Sequence, residues 1–180
     1  RLGHRMAVAL NVVANSLSLS DIMEAAKTLE VATRWSVECS LQLVQAGATS
    51  VLFNLIRTCN RSLPHKEVLQ VVLRTLLNVC KHCGWDDSCP DGAGACVDLI
   101  QIFRDKPDVF IPAVNLLHKA VRSSEQSRDW CGTPENAKRL RNVHALCSRK
   151  ARGSSRTDKN VHRAIKTLLH IVDLVSPNLS

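Results

Sequence analysis

No tyrosine occurs in the 180 residues, and the only aromatic side chains are three Trp and three Phe. Sandwiches and barrels draw on aromatic and β-branched residues, so this shortage, with Leu, Val and Ala dominant, argues for packed helices. There is no Walker loop, no G-x-S-x-G and no H-E-x-x-H. Their absence removes the usual marks of phosphate cradling, of a serine nucleophile elbow and of zinc-protease chemistry. No apolar stretch reaches the roughly 18 residues that span a bilayer. The charged start RLGHR lacks a signal-peptide core. The expectation is a soluble chain without a membrane role, resembling a piece cut from something longer and folding as a single domain over 1–180.

Acidic residues are also scarce, 16 against 24 Lys and Arg. The shortfall is local: residues 133–180 hold ten Lys or Arg against three Asp or Glu, so seven of the eight net positive charges lie in the last 48 residues. That end is the electrostatic handle of the chain.

Cysteine is plentiful, eight in all. Cys39, Cys59, Cys80, Cys96 and Cys147 fall within helical apolar patterns, where a free thiol behaves as a small hydrophobe, so a reducing compartment fits better than a disulfide framework. The sequons at Asn60 and Asn178 matter only in the secretory pathway. Cys80, His82, Cys83 and Cys89 are the sharpest metal candidate, since thiolates and imidazole around a loop can close a tetrahedral zinc site. Only one C-x2-C hook is present and Cys80 belongs to an apolar face, so no metal and no cofactor are expected. His118, His144, His162 and His170 each sit in a helical pattern without a nucleophile motif, and no enzyme activity is expected.

Periodicity predicts helices over about 4–16, 20–34, 37–45, 48–59, 65–82, 93–104, 108–122, 134–150 and 158–175. Ser20 is the predicted cap of the second, and Trp35-Ser36 its break. Gly47 is placed to close the 37–45 helix in the left-handed conformation, and Pro64 to open the 65–82 helix, with Glu67 behind it for the dipole. Residues 83–94 and 123–132 read as loops, and 151–159 as a linker. The short, long, long grouping of 37–82 matches an armadillo repeat of three helices, and 93–122 a partial second repeat, with Asn78 and Asn115 37 residues apart. The predicted class is all-α, an armadillo- or HEAT-like α-solenoid whose C-terminal part, 133–175, is basic.

The segment IRTCNRSLP, with Ile56, Arg57, Cys59, Asn60, Arg61, Ser62 and Pro64, is followed by a helix carrying Glu67, Val68, Leu76, Leu77, Asn78 and Val79. This block, with Thr28 to Ala48 upstream and Asp98 to Asp108 downstream, resembles the C-terminal region of the abnormal spindle family over roughly residues 25–110. The resemblance implies a parent chain with calponin-homology domains and an array of IQ motifs for calmodulin. It also implies a place at spindle poles and microtubule minus ends in mitosis, in the cytoplasm and at the centrosome, with the interphase nucleus as a further site. No IQ motif lies within these residues, so calmodulin is not an expected partner here.

Gln70, Arg74, Asn78 and Lys81 are spaced by four, four and three, opposite Val68, Val72, Leu76 and Val79. In armadillo proteins the third helix lines a concave groove and its Asn holds the backbone of an extended peptide. By that resemblance Asn78 takes this position, with Asn115, Lys119 and Arg122 one repeat on. The alternative surface is basic: Lys138, Arg139, Arg141, Arg149, Lys150, Arg152, Arg156, Lys159, Arg163 and Lys166 suit tubulin tails or another polyanion. Nucleic acid is the weakest partner, because no aromatic is interleaved there for stacking. The expected function is a non-catalytic protein-interaction scaffold of a microtubule-associated spindle-pole protein. The thiol placement predicts no stoichiometric zinc and an unchanged melting temperature in chelator; one zinc per chain by elemental analysis, with unfolding on chelation, overturns this.

Overall fold

The computed structural model describes residues 3–176, and among them every regular element is an α-helix. The chain divides into two compact units, one ending at Gly92 and one starting at Ala93. A reading of 1–180 as a single domain does not contain that division. No single helix among the described residues is long and apolar enough to cross a membrane. The sequon at Asn178 lies outside the described residues; Asn60 is exposed, and its Oδ1 accepts from the Ser62 N–H at 2.8 Å.

The first unit holds α1 (His4–Asn15), α2 (Leu19–Trp35), α3 (Val37–Gln45), α4 (Ala48–Thr58) and α5 (Leu63–Cys83). Ser18, not Ser20, caps α2, its hydroxyl accepting from the Asp21 N–H three residues on; Ser20 is already helical. Ser36 ends α2 and caps α3 through the Cys39 N–H. Gly47 stands at φ +80° between α3 and α4, which bend by 78° from one to the other. Pro64 sits in the first turn of α5 as expected, but that turn contains no acid, since Glu67 falls beyond it.

Helix α5 organises this unit by packing on α2 most extensively and also on α3 and α4. Val68, Leu69, Val71, Val72, Leu73, Thr75, Leu76 and Val79 are all buried on it. At its end Gly84 turns the chain at φ +79° into a loop that is pinned at two points. Trp85 leans on Phe53 with ring centroids 5.9 Å apart, and Arg57 grips Asp91 in a fork at 2.8 and 2.9 Å.

The second unit holds α6 (Gly92–Ile102) from its second residue onward, with α7 (Pro107–Ser123), α8 (Glu125–Gly132), α9 (Pro134–Arg152) and α10 (Lys159–Val175). Helix α10 packs on α7, α8 and α9. Ile100, Phe103, Phe110, Leu116, Leu117 and Leu140 are fully buried there. Residues 125–132 are helical where the composition reads as loop, for reasons the tertiary contacts supply. Ser124 caps the helix through the Ser127 N–H, Ser127 and Cys131 are buried, and Arg128 donates to the Val121 carbonyl at 2.9 Å. Gly132 is required by a close approach, since a Cβ there would lie 2.8 Å from the Val175 carbonyl oxygen.

Gly47 meets nothing within 4 Å of a built Cβ, so a substitution there reports backbone strain alone. Gly47→Ala is expected to lower the unfolding free energy by about 1 kcal/mol, the penalty of the left-handed region for a residue with a Cβ. Gly153→Ala, at φ −79° with only ordinary contacts, is expected to cost nothing. Denaturant titrations of the two variants check this, and equal stabilities would refute it.

Candidate functional site

The seven groove candidates fall on two helices in two units. On α5, Arg74 and Lys81 are exposed, while Gln70 and Asn78 are half-buried. The Asn78 amide does not stand open: its Nδ2 donates to the Glu30 carbonyl at 3.3 Å and to the Thr33 hydroxyl at 3.2 Å. The expectation that this whole stripe looks outward is therefore corrected at Asn78, where α2 takes both donors. On α7, Asn115, Lys119 and Arg122 are exposed, as the spacing predicts.

Around Asn78 the structure gathers groups that periodicity does not connect. Glu30 is 5% exposed on α2, and its carboxylate is held by the Arg34 guanidinium through Nε at 3.1 Å and Nη2. Burial pushes the Glu30 carboxyl up, but the Arg34 hydrogen bond and charge, the Asn78 amide and the Arg74 charge outweigh it and leave it below the ordinary carboxylate range. Thr33, fully buried, donates back to the Leu29 and Glu30 carbonyls. Glu30 was not legible as part of the site, because an acid four residues before an arginine reads as a surface pair.

Nine of the ten basic candidates are exposed. On α9, Lys138, Arg141, Arg149 and Arg152 recur at three-, eight- and three-residue steps, which sets them on one stripe opposite the buried Leu140, Val143 and Cys147. On α10, Lys159, Arg163 and Lys166 form a second stripe opposite Ile165, Leu168 and Val172. Lys150 and Arg156 are exposed away from these stripes. Arg139 is the exception and leaves the patch: it turns inward to Asp98 on α6, to the Gln101 Oε1 at 2.6 and 3.1 Å, and to the Asn136 Oδ1 at 3.2 Å.

Cys59, Cys83, Cys131 and Cys147 are made poorer nucleophiles by their burial. Burial raises Cys59 to about 11 and Cys131 to about 12, and pushes up Cys83 and Cys147 as well. Cys80, His82 and Cys89 are half-buried and Cys83 exposed, and among the described residues no three His, Cys, Asp or Glu side chains converge as metal ligands. His144 Nε2 lies 3.2 Å from the Ser148 hydroxyl, and His118 meets His170 edge-on at 5.4 Å. Burial, then the charges of Arg122, His170 and Lys119, hold His118 below the ordinary imidazole range.

Because the Glu30 carboxyl titrates lower in the folded than in the unfolded chain, its contribution to stability is complete above the ordinary carboxylate range. That contribution is lost as pH falls through the lowered folded value. Glu30→Gln is expected to flatten that part of the stability profile on acidification. Asn78→Ala, which removes two donors from α2, is expected to cost about 1–2 kcal/mol at neutral pH. Denaturant midpoints across a pH series measure both, and a Glu30→Gln profile parallel to wild type would overturn the assignment.

No protein-family model matches the chain. Among solved structures, the crystal structure of an engineered protein superposes with a TM-score of 0.67 at 17% identity, covering 95% of this chain and 63% of that one, which is a likeness of fold. Among curated proteins, the abnormal spindle-like microcephaly-associated protein homolog of Macaca mulatta is 32% identical over 179 residues, 92% of this chain. The Homo sapiens protein is 33% identical over 163 residues, 83% of this chain. The homolog of Felis catus is 33% identical over 165 residues. The chain spans only 5% of the length of these relatives. Over the segment they share, the chain belongs to the abnormal spindle-like microcephaly-associated family.

Proposed function

We infer that the chain is a non-catalytic protein-interaction scaffold within a spindle-pole, microtubule-associated protein, contributing to spindle organisation. The observation that carries this reading is the kinship with abnormal spindle-like proteins over 83–92% of the chain. The packing of α3, α4 and α5, short then longer, is read as one armadillo-type repeat and α6 with α7 as part of another. The working surface is the polar stripe of each third helix, Arg74 and Lys81 on α5 and Asn115, Lys119 and Arg122 on α7. Its partner is a protein at the spindle pole. Raised thiol pKa values agree with a role that involves no covalent chemistry.

A second reading is favoured by the two exposed basic stripes of α9 and α10, which suit direct electrostatic binding of microtubules or another polyanion. Salt separates the two. Binding carried by exposed charges collapses as the Debye length shortens to about 8 Å at physiological ionic strength, whereas hydrogen bonds and apolar contacts weaken less.

The test omits Asn78, since changing it loosens α2 from α5. Arg74→Ala with Lys81→Ala, and separately Lys119→Ala with Arg122→Ala, are expected to remove partners captured from mitotic extract, with melting temperatures preserved because surface changes usually cost under about 0.5 kcal/mol. Charge reversal at Arg149 and Arg152 is expected to slow capture and leave its endpoint. Silent stripe variants with capture and microtubule co-sedimentation both abolished by Arg149→Glu and Arg152→Glu would overturn the scaffold reading in favour of the polyanion one.

A further inference from the structure

Between the α6–α7 and α9–α10 connections, the second unit opens into a crevice of about 320 Å³. That is at the small end of the ~300–1,000 Å³ range of ligand pockets and suits one side chain with its adjoining backbone. Phe110, Cys147, Ala151 and Ile165 make a floor whose members are each under a tenth exposed, with Val161 half-buried beside them. Arg104, Lys150 and Arg156, from three separate segments, stand exposed around it. The charges of Arg104 and Lys150 are felt at the Cys147 thiol in the floor, so both act on the interior of the crevice. Two carboxylates also line it. Asp158 accepts from the Asn160 N–H at 2.9 Å and caps α10, and Asp105 sits beside Arg104, so the cations exceed the acids.

We propose that this crevice docks an acidic peptide segment bearing one bulky apolar side chain. The side chain lies on Phe110, Val161 and Ile165, and the flanking carboxylates meet Arg104, Lys150 and Arg156. Charge complementarity selects the acid, and the apolar floor selects the anchor. A plain polyanion leaves that floor empty. A single-stranded nucleic acid needs exposed rings to stack on, and the ring that lines the crevice, Phe110, is buried in its floor. The crevice shares no residue with the α5 and α7 stripes. It rests on the scaffold reading only in taking a protein as ligand.

The probe is a fluorescein-labelled glutamate-rich peptide with one central phenylalanine, compared with the same peptide carrying alanine there, both titrated onto the full chain by fluorescence anisotropy. The phenylalanine peptide is expected to bind about tenfold tighter or more. Lys150→Glu with Arg156→Glu is expected to weaken it by about tenfold or more, whereas Arg141→Glu with Arg163→Glu, exposed outside the crevice, changes it little. Val161→Trp, which fills the crevice without altering charge, is expected to erase the advantage of phenylalanine. The charge variants lie on the surface, so melting temperatures separate lost binding from lost folding even where Val161→Trp is destabilised. Equal binding of the two peptides, an equal loss from the Arg141 and Arg163 pair, or no binding of the phenylalanine peptide would each overturn the proposal. Failure here with capture from mitotic extract intact removes this site alone, while the converse removes the scaffold reading and leaves the crevice.

Discussion

Eight side chains of α5 are withdrawn from water together, and α2, α3 and α4 hold their places by covering them. Each fully buried Leu or Val contributes about 1.5–3 kcal/mol, so this single helix supplies much of the driving force of the first unit. A helix buried on so many sides cannot also present a broad polar face. Only Glu67, Arg74, Lys81 and Cys83 remain exposed after its first turn, and whatever α5 offers to a partner passes mainly through those few positions.

The same constraint explains the polar seam between α2 and α5. Asn78 stands where the apolar covering of α5 gives way to solvent. A half-buried amide there needs partners, because an unmade hydrogen bond costs about 1–3 kcal/mol. The Glu30 carbonyl and Thr33 hydroxyl supply them, and Arg34 neutralises the carboxylate that burial would otherwise penalise. Arg139 plays a comparable part in the second unit, binding α9 to Asp98 and Gln101 of α6. In both places a residue that looks like a recognition group by type and spacing is held within the fold, while exposed Arg and Lys neighbours on the same helices are not.

Helix placement was largely legible because each signal was local. Apolar periodicity set the 37–45 helix to the residue, Ser36 broke the chain after Trp35, and Gly47 and Pro64 acted where their backbone preferences require. Two errors were of a different kind. Ser20 is a good cap by residue type, but so is Ser18, and the Asp21 N–H bonds to the Ser18 hydroxyl. Residues 125–132 have a loop composition, and their helicity rests on burial of Ser127 and Cys131 and on the bond from Arg128 to Val121, which no window of sequence reveals. The family resemblance was legible for a third reason: the CNRSxP turn and the helix after it form a specific string, independent of any packing.

The sequence by itself determined the all-helical class, the order and most ends of the helices, the basic bias of residues 133–180 and the kinship with abnormal spindle-like proteins. All of these depend on residue type and short-range spacing. Tertiary structure alone decided which polar groups remain available. Asn78 and Asn115 carry the same side chain 37 residues apart, yet α2 engages the first while the second is exposed. Arg139 lies among nine exposed cations and turns inward. The crevice over Phe110 and Ile165 draws its rim from segments more than 40 residues apart in sequence. Availability depends on what a neighbouring helix brings within hydrogen-bonding distance, and that distance is set by the packing of apolar faces, not by the polar residues themselves.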